Sequence, residues 1–155
     1  MHRNFVQNSG TRLVELFRRM VFSAAVTNND DHPCNHALLR RQKGWRLSPA
    51  HDLAPAPVAS LERRDLVLTV GSHGRTASIY DLLSQASRFG LSVEDACREI
   101  DRIVVVARQW RDSFFACGMS TEDIEYIAQA ILPKRFFFER RQDARTSSFG
   151  PFEAV

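Results

Sequence analysis

An apolar helical stripe that runs straight into a dense polar stretch constrains this chain more than any other feature. Leu13, Leu16, Phe17, Met20, Val21, Ala24 and Ala25 recur at steps of three and four, the period of one buried helix face. Arg12, Glu15, Arg18 and Arg19 fall between them. The run Thr27-Asn28-Asn29-Asp30-Asp31 predicts the end of that helix, because short polar side chains favour turns and bonds to nearby backbone. Two short segments follow, His36–Arg40 and Trp45–Leu47, around Gln42-Lys43-Gly44. They predict a β-hairpin, with Gly44 supplying the turn. Ser48-Pro49-Ala50-His51-Asp52 ends it. Helix, polar loop, hairpin and a second acid therefore stand in series.

The rest of the chain is mainly helical. Ala54-Pro55-Ala56-Pro57 resists helix and sheet, so Leu53–Arg64 is expected as an ordered, irregular loop. Leu66–Val70, bounded by Gly71, is a strand or a core-packed extended piece. Ser78 can cap a helix that Gly90 ends. Ser92 with Asp95 resembles a capping box opening a helix to about Phe115, closed by Gly118. Ser120 opens a last helix that Pro133 stops. The expected fold is mainly α with one small β-hairpin, organised as a lead-in (1–10), one α-rich lobe (11–132) and a basic, aromatic segment with a polar tail (133–155). In that segment Phe136, Phe137 and Phe138 are expected to cap the core while Lys134, Arg135, Arg140 and Arg141 stay solvated. Direct nucleic-acid binding is the lesser reading.

Composition excludes several classes. A chain of 155 residues can bury a core without disulfides or a structural metal. Cys34, Cys97 and Cys117 are odd in number and form no C-x-x-C pair, which points to a reducing cytoplasm. No window approaches the ~20 apolar residues of a membrane span, and Met1-His2-Arg3-Asn4 lacks a secretory pattern. The net charge of +3 is weak evidence for any partner.

Chemistry concentrates in Asn28-Asn29-Asp30-Asp31-His32-Pro33-Cys34-Asn35. An Asn- and Asp-rich turn satisfying helix carbonyls explains the composition. The spacing supports a sharper reading. Asp30 and Asn35 are five positions apart, and Asp52 follows Asn35 by 17. Kinase catalytic loops place a base and a magnesium-binding Asn at the first interval, then a hairpin and a second magnesium-binding Asp. The attacking hydroxyl needs a carboxylate to take its proton, and magnesium needs hard oxygen ligands.

Asn29-Asp30-Asp31-His32-x-x-Asn35-His36, followed by Gly44-Trp45-Arg46-Leu47-Ser48-Pro49-Ala50-x-Asp52-Leu53-x-Pro55, resembles the C-terminal lobe of HipA-like serine/threonine kinases, the toxin kinases of bacterial toxin–antitoxin modules. The likeness spans roughly residues 11–132. It implies that the intact enzyme transfers the ATP γ-phosphoryl group to a protein Ser or Thr, with Asp30 as catalytic base and Asn35 and Asp52 as ligands of Mg2+ and so of the nucleotide. His32 matches the family's loop histidine, read either as a brace for the loop or as a plain turn histidine. Asp31 is read as structural, and Asn28 and Asn29 as shaping the turn.

Two positions depart from the family. Cys34 stands where Lys or Arg is usual, and His51 where Tyr is usual. A cation before the loop Asn could neutralise transferred charge; a thiol does not. The glycine-containing phosphate loop and lysine of the family's N-terminal lobe are not found in the sequence. Gly71-Ser72-His73-Gly74-Arg75 follows the second acid and reads as a turn. The expectation is a truncated product, a cut domain or half of a split kinase, inactive without an N-lobe supplied in trans. Rival readings are a non-catalytic module binding a helix-turn-helix antitoxin, and a metal-dependent hydrolase using Asp30, Asp31, His32 and Asp52. Cys34 as a nucleophile or zinc ligand beside His32 and His36 is a minor one.

Overall fold

The computed structural model describes residues 9–41, 44–56 and 65–138. The lead-in 1–8, residues 57–64 of the irregular loop and the tail from 139 lie outside the described residues. The architecture is mainly helical with a two-stranded antiparallel hairpin. Helix α1 (Ser9–Ala25) opens it, followed by a 3-10 turn (Pro33–Asn35), β1 (Leu38–Arg41) and β2 (Gly44–Leu47). Then come α2 (Ile79–Ser84), α3 (Val93–Ala107), α4 (Trp110–Ala116), α5 (Thr121–Ile127) and α6 (Lys134–Phe138).

From Phe17 onward the apolar stripe of α1 is buried as its spacing predicts, whereas Leu13 in the helix's first half is 38% exposed. Phe17, Val21, Ala24 and Ala25 are fully buried and pack with Ile79, Leu82, Ala86, Ala96, Ile100 and Val104. Leu66 and Val70 belong to this core, but the segment is no strand. Only the residues that flank it form isolated bridges, Asp65 with Thr76 and Gly71 with Gly74. Phe136 is also fully buried in the core, so its closure comes from the aromatic segment after residue 132.

Ser78, Ser92 and Ser120 each cap a helix, accepting from the backbone N–H of Asp81, Asp95 and Asp123, as the sequence predicts. Three helices are shorter than expected. The first ends at Ser84, and a 3-10 turn (Ala86–Phe89) continues to the left-handed Gly90. That tightening sets Phe89 against Phe17, with ring centroids 5.3 Å apart. The second breaks between Ala107 and Trp110 because burial ends at Ala107, and no residue of α4 is buried. From there α4 answers to α5 through the Arg111–Glu125 ion pair. The third, which Ser120 opens, ends at Ile127 and gives way to a 3-10 turn (Ala128–Ala130); it is not the last helix, since α6 follows Pro133.

Arg18 and Glu99 bind α1 to α3. Arg18 Nε donates to Glu99 Oε2 at 2.8 Å and Nη2 to Oε1 at 3.2 Å. The Arg18 hydrogen bond holds the Glu99 carboxyl below the usual carboxylate range; partial burial opposes this and the Arg18 charge reinforces it. A lowered folded value means the pair stabilises the fold fully above the ordinary Glu range and is lost as pH falls through the folded value. Glu99→Gln should therefore lower the melting temperature near neutral pH and match the wild type in strong acid. An equal gap at both ends of a pH-resolved melting series would contradict this.

Gly71 meets α2 without room for a side chain. A Cβ there would stand 2.6 Å from Ser84 Oγ and from Asp81 Oδ1, and closer still to the Asp81 carbonyl. Asp81 is fully buried, and its Oδ1 accepts from the His73 backbone N–H at 2.8 Å. Gly71→Ala must push the 71–74 turn off α2 and should cost about 1–3 kcal/mol, read by denaturant unfolding. An unchanged midpoint would show that the turn yields freely.

Candidate active site

The end of α1 shapes the polar loop. Thr27 N–H donates to Ala24 O at 3.4 Å and Asn28 N–H to Ser23 O at 2.8 Å. This is the Schellman arrangement, with threonine in the left-handed position where glycine is usual. Thr27 has φ 52, a poor conformation for a β-branched residue. It is held there: its hydroxyl donates to Ala130 O at 2.6 Å, and Leu132 N–H donates to Ala25 O at 2.6 Å. The only other non-glycine residues with positive φ among those described are Leu132 (φ 46) and Asp52 (φ 58). All three sit where the end of α1 meets its neighbours. Such residues cost on the order of 1–3 kcal/mol each and gather at functional sites.

Beyond Asn28 the chain surfaces. Asn29 and Asp30 are exposed, whereas Asp31 is buried with Oδ1 2.8 Å from His36 Nε2; the two form an ion pair when the imidazole is protonated. The 3-10 turn closes with Asn35 N–H donating to His32 O at 2.9 Å and His36 N–H to Pro33 O at 3.1 Å. Its geometry buries Asn35 and leaves Cys34 exposed. The hairpin then reverses the chain, pairing Leu38 with Leu47 and Arg41 with Gly44. Its base is closed by Ser48 N–H donating to Ala37 O at 2.8 Å. Arg19, buried on α1, clamps the exit: its Nη2 donates to Ser48 O at 2.6 Å and its Nε to Glu15 Oε1 at 3.1 Å.

The hairpin thereby returns Asp52 to the loop. Asn35 Nδ2 donates to Asp52 Oδ2 at 3.2 Å, and Asn28 Nδ2 donates to Asp52 O at 3.0 Å. Asp52 is exposed, whereas Asn28 and Asn35 are 3% and 5% exposed. A solvent-facing aspartate thus rests on two buried asparagines, one at its carboxylate and one at its main-chain carbonyl.

Of the residues singled out in the sequence, Asn35 and Asp52 are in direct contact, and Asp30 is an exposed loop carboxylate. His32 is half-buried; its carbonyl anchors Asn35, while its Nδ1 is buried without a protein hydrogen-bond partner. Two further residues of the site carry no signal in the sequence. Asn28 looks like any turn former, and Arg19, four residues after Glu15, looks like a solvated helix charge. Their contacts lie 24 and 29 positions away, which no local pattern records.

The pair holds one carboxylate and one amide; with Asn35 Oδ1, not the Nδ2 that faces Asp52, as ligand they would give an all-oxygen and incomplete donor set. That suits magnesium, which keeps several waters and is commonly held by one or two carboxylates plus phosphate. Among the described residues no three His, Cys, Asp or Glu side chains gather to hold a metal. A hydrolase centre built from Asp30, Asp31, His32 and Asp52, or a zinc site at Cys34, is therefore not formed there. No helix among the described residues is long and apolar enough to cross a membrane.

The family model for the HipA-like C-terminal domain matches residues 1–110. No curated protein and no solved structure matches the chain.

Proposed function

Since the chain belongs to the family of HipA-like C-terminal domains, we propose that it is the catalytic-loop lobe of a cytoplasmic toxin kinase that phosphorylates a protein Ser or Thr. The observation that carries this reading is the 3.2 Å contact between the Asn35 amide and the Asp52 carboxylate, two residues brought together by the hairpin. Asp30, on the exposed side of the same loop, takes the proton of the attacking hydroxyl. Asn35 and Asp52 would hold Mg2+ against the phosphates of ATP. The ion, when bound, neutralises phosphate charge and so favours phosphoryl transfer. The chain's own contribution is an exposed carboxylate base five positions before Asn35 and a ligand acid in contact with it.

The adenine side and the phosphate loop belong to an N-terminal lobe. The hairpin has surface for such a partner, with Leu38 54%, Leu39 38% and Trp45 40% exposed. A second reading, a non-catalytic module that binds a helix-turn-helix antitoxin, is favoured by Cys34, which is exposed and stands where the family carries a cation.

Paramagnetic Mn2+ in place of Mg2+ tests the metal assignment on the chain itself. Backbone amide signals of residues 35 and 52 should broaden first in a titration, and Asp52→Ala should abolish the selective effect. Broadening that ignores Asp52→Ala removes the assignment.

A further inference from the structure

We propose that Asn28 is the positioning residue for Asp52, holding the metal-binding acid through its main-chain carbonyl; the inference rests on the kinase reading above. Asp52 has φ 58, a left-handed conformation that aspartate tolerates but does not favour. Something must hold it there. Its carboxylate is bonded by Asn35 and its carbonyl by Asn28, so side chain and main chain are restrained separately.

The two restraints differ in kind. Asn35 contacts Oδ2, an atom that must also serve a cation, and that bond is open to exchange when a ligand arrives. Asn28 contacts only the carbonyl oxygen and leaves the carboxylate alone. Its backbone N–H is committed to Ser23 O, which fixes where the side chain starts. Asn28 as a residue is 3% exposed, so water competes weakly at its end of the bond. Arg19 holds Ser48 O independently at 2.6 Å. The segment leading to Asp52 therefore stays docked when Asn28 is removed, while the Asp52 backbone becomes free to relax to negative φ. That relaxation turns the carboxylate away from Asn35.

The test uses the 155-residue chain with Mn2+ as the probe, its affinity read by electron paramagnetic resonance well below the melting temperature. Asn28→Ala should weaken Mn2+ binding about 10–100-fold, as loss of an outer-shell support does. The same substitution in an Asp52→Ala background should change nothing further, because the carboxylate that Asn28 positions is gone while the carbonyl it grips remains. A role in packing alone would lower the melting temperature and leave the affinity of the folded chain unchanged, and that result overturns the proposal. Should Asn28→Ala not fold, Asn28→Ser is read in the same way, since its hydroxyl is too short to reach the Asp52 carbonyl. If Asp52→Ala itself leaves Mn2+ affinity intact, the kinase reading fails and this inference with it. If Asp52→Ala abolishes binding and the Asn28 variants do not alter it, only the positioning role fails.

Discussion

Asp30→Ala should lower phosphoryl transfer by about 10²–10⁴-fold, the usual contribution of a positioned general base, in the lobe paired with an ATP-binding N-terminal lobe. Its melting temperature should not move, because Asp30 is exposed and surface substitutions of that kind shift stability by roughly 0.5 kcal/mol or less. The combination separates a catalytic role from a structural one. Asp52→Ala should be as damaging to transfer, since phosphoryl transfer rests almost wholly on positioning and electrostatics. Cys34→Lys should raise activity in the same pair, by restoring a cation beside the transferred group. A radiolabelled-ATP assay on the pair and on the lone lobe reads all four proteins. Unchanged transfer in the Asp30→Ala pair, or robust transfer by the lone lobe, defeats the kinase reading.

Phe17→Ala should cost about 3–5 kcal/mol, the range for emptying a buried aromatic site. Phe17 is 0% exposed and packs its ring against Phe89. The cavity cannot collapse easily, because α1 is tethered to α3 by Arg18–Glu99 and to the 130–132 turn by Thr27 and Leu132. For a domain whose whole stability is on the order of 5–15 kcal/mol, the loss is a large fraction. Phe115→Ala is the matched control: Phe115 is 69% exposed, and its removal should stay within roughly 0.5 kcal/mol. Urea unfolding of both variants provides the comparison. A Phe17→Ala penalty no larger than that of Phe115→Ala would mean that the core is loosely packed.

What was readable in the chain divides by the range of the interaction. The stripe Phe17, Val21, Ala24 and the caps Ser78, Ser92 and Ser120 are set by neighbours three and four residues away, and the structure has them as expected. The hairpin follows from a short polar connection between apolar segments, and its register returns Asp52 to Asn35. The rest depends on distant partners. Thr27 ends a helix in a conformation glycine usually takes, because Ala130 and Leu132 hold the junction. The helix break after Ala107 reflects a change of packing partner, and the sequence there carries neither glycine nor proline. Gly71-Ser72-His73-Gly74 could be read as a turn, but not that a buried Asp81 receives it. Asn28 could be read as a turn residue, but not which carbonyl it grips.

The bond from Thr27 to Ala130 joins residues 103 positions apart, and that distance has a meaning in time. A ribosome adding about 5–20 residues per second needs roughly 5–20 s to travel it. Throughout that interval α1 and the hairpin can make their local bonds, while α1 waits for the core partners between residues 79 and 104. The junction that holds Thr27 in its left-handed conformation cannot close, because its partners have not been made. The turn bearing Asn28 and Asp30 thus gains its last anchor only when residues 130–136 have left the exit tunnel. The order of synthesis makes the first polar loop of the chain among the last parts to be secured.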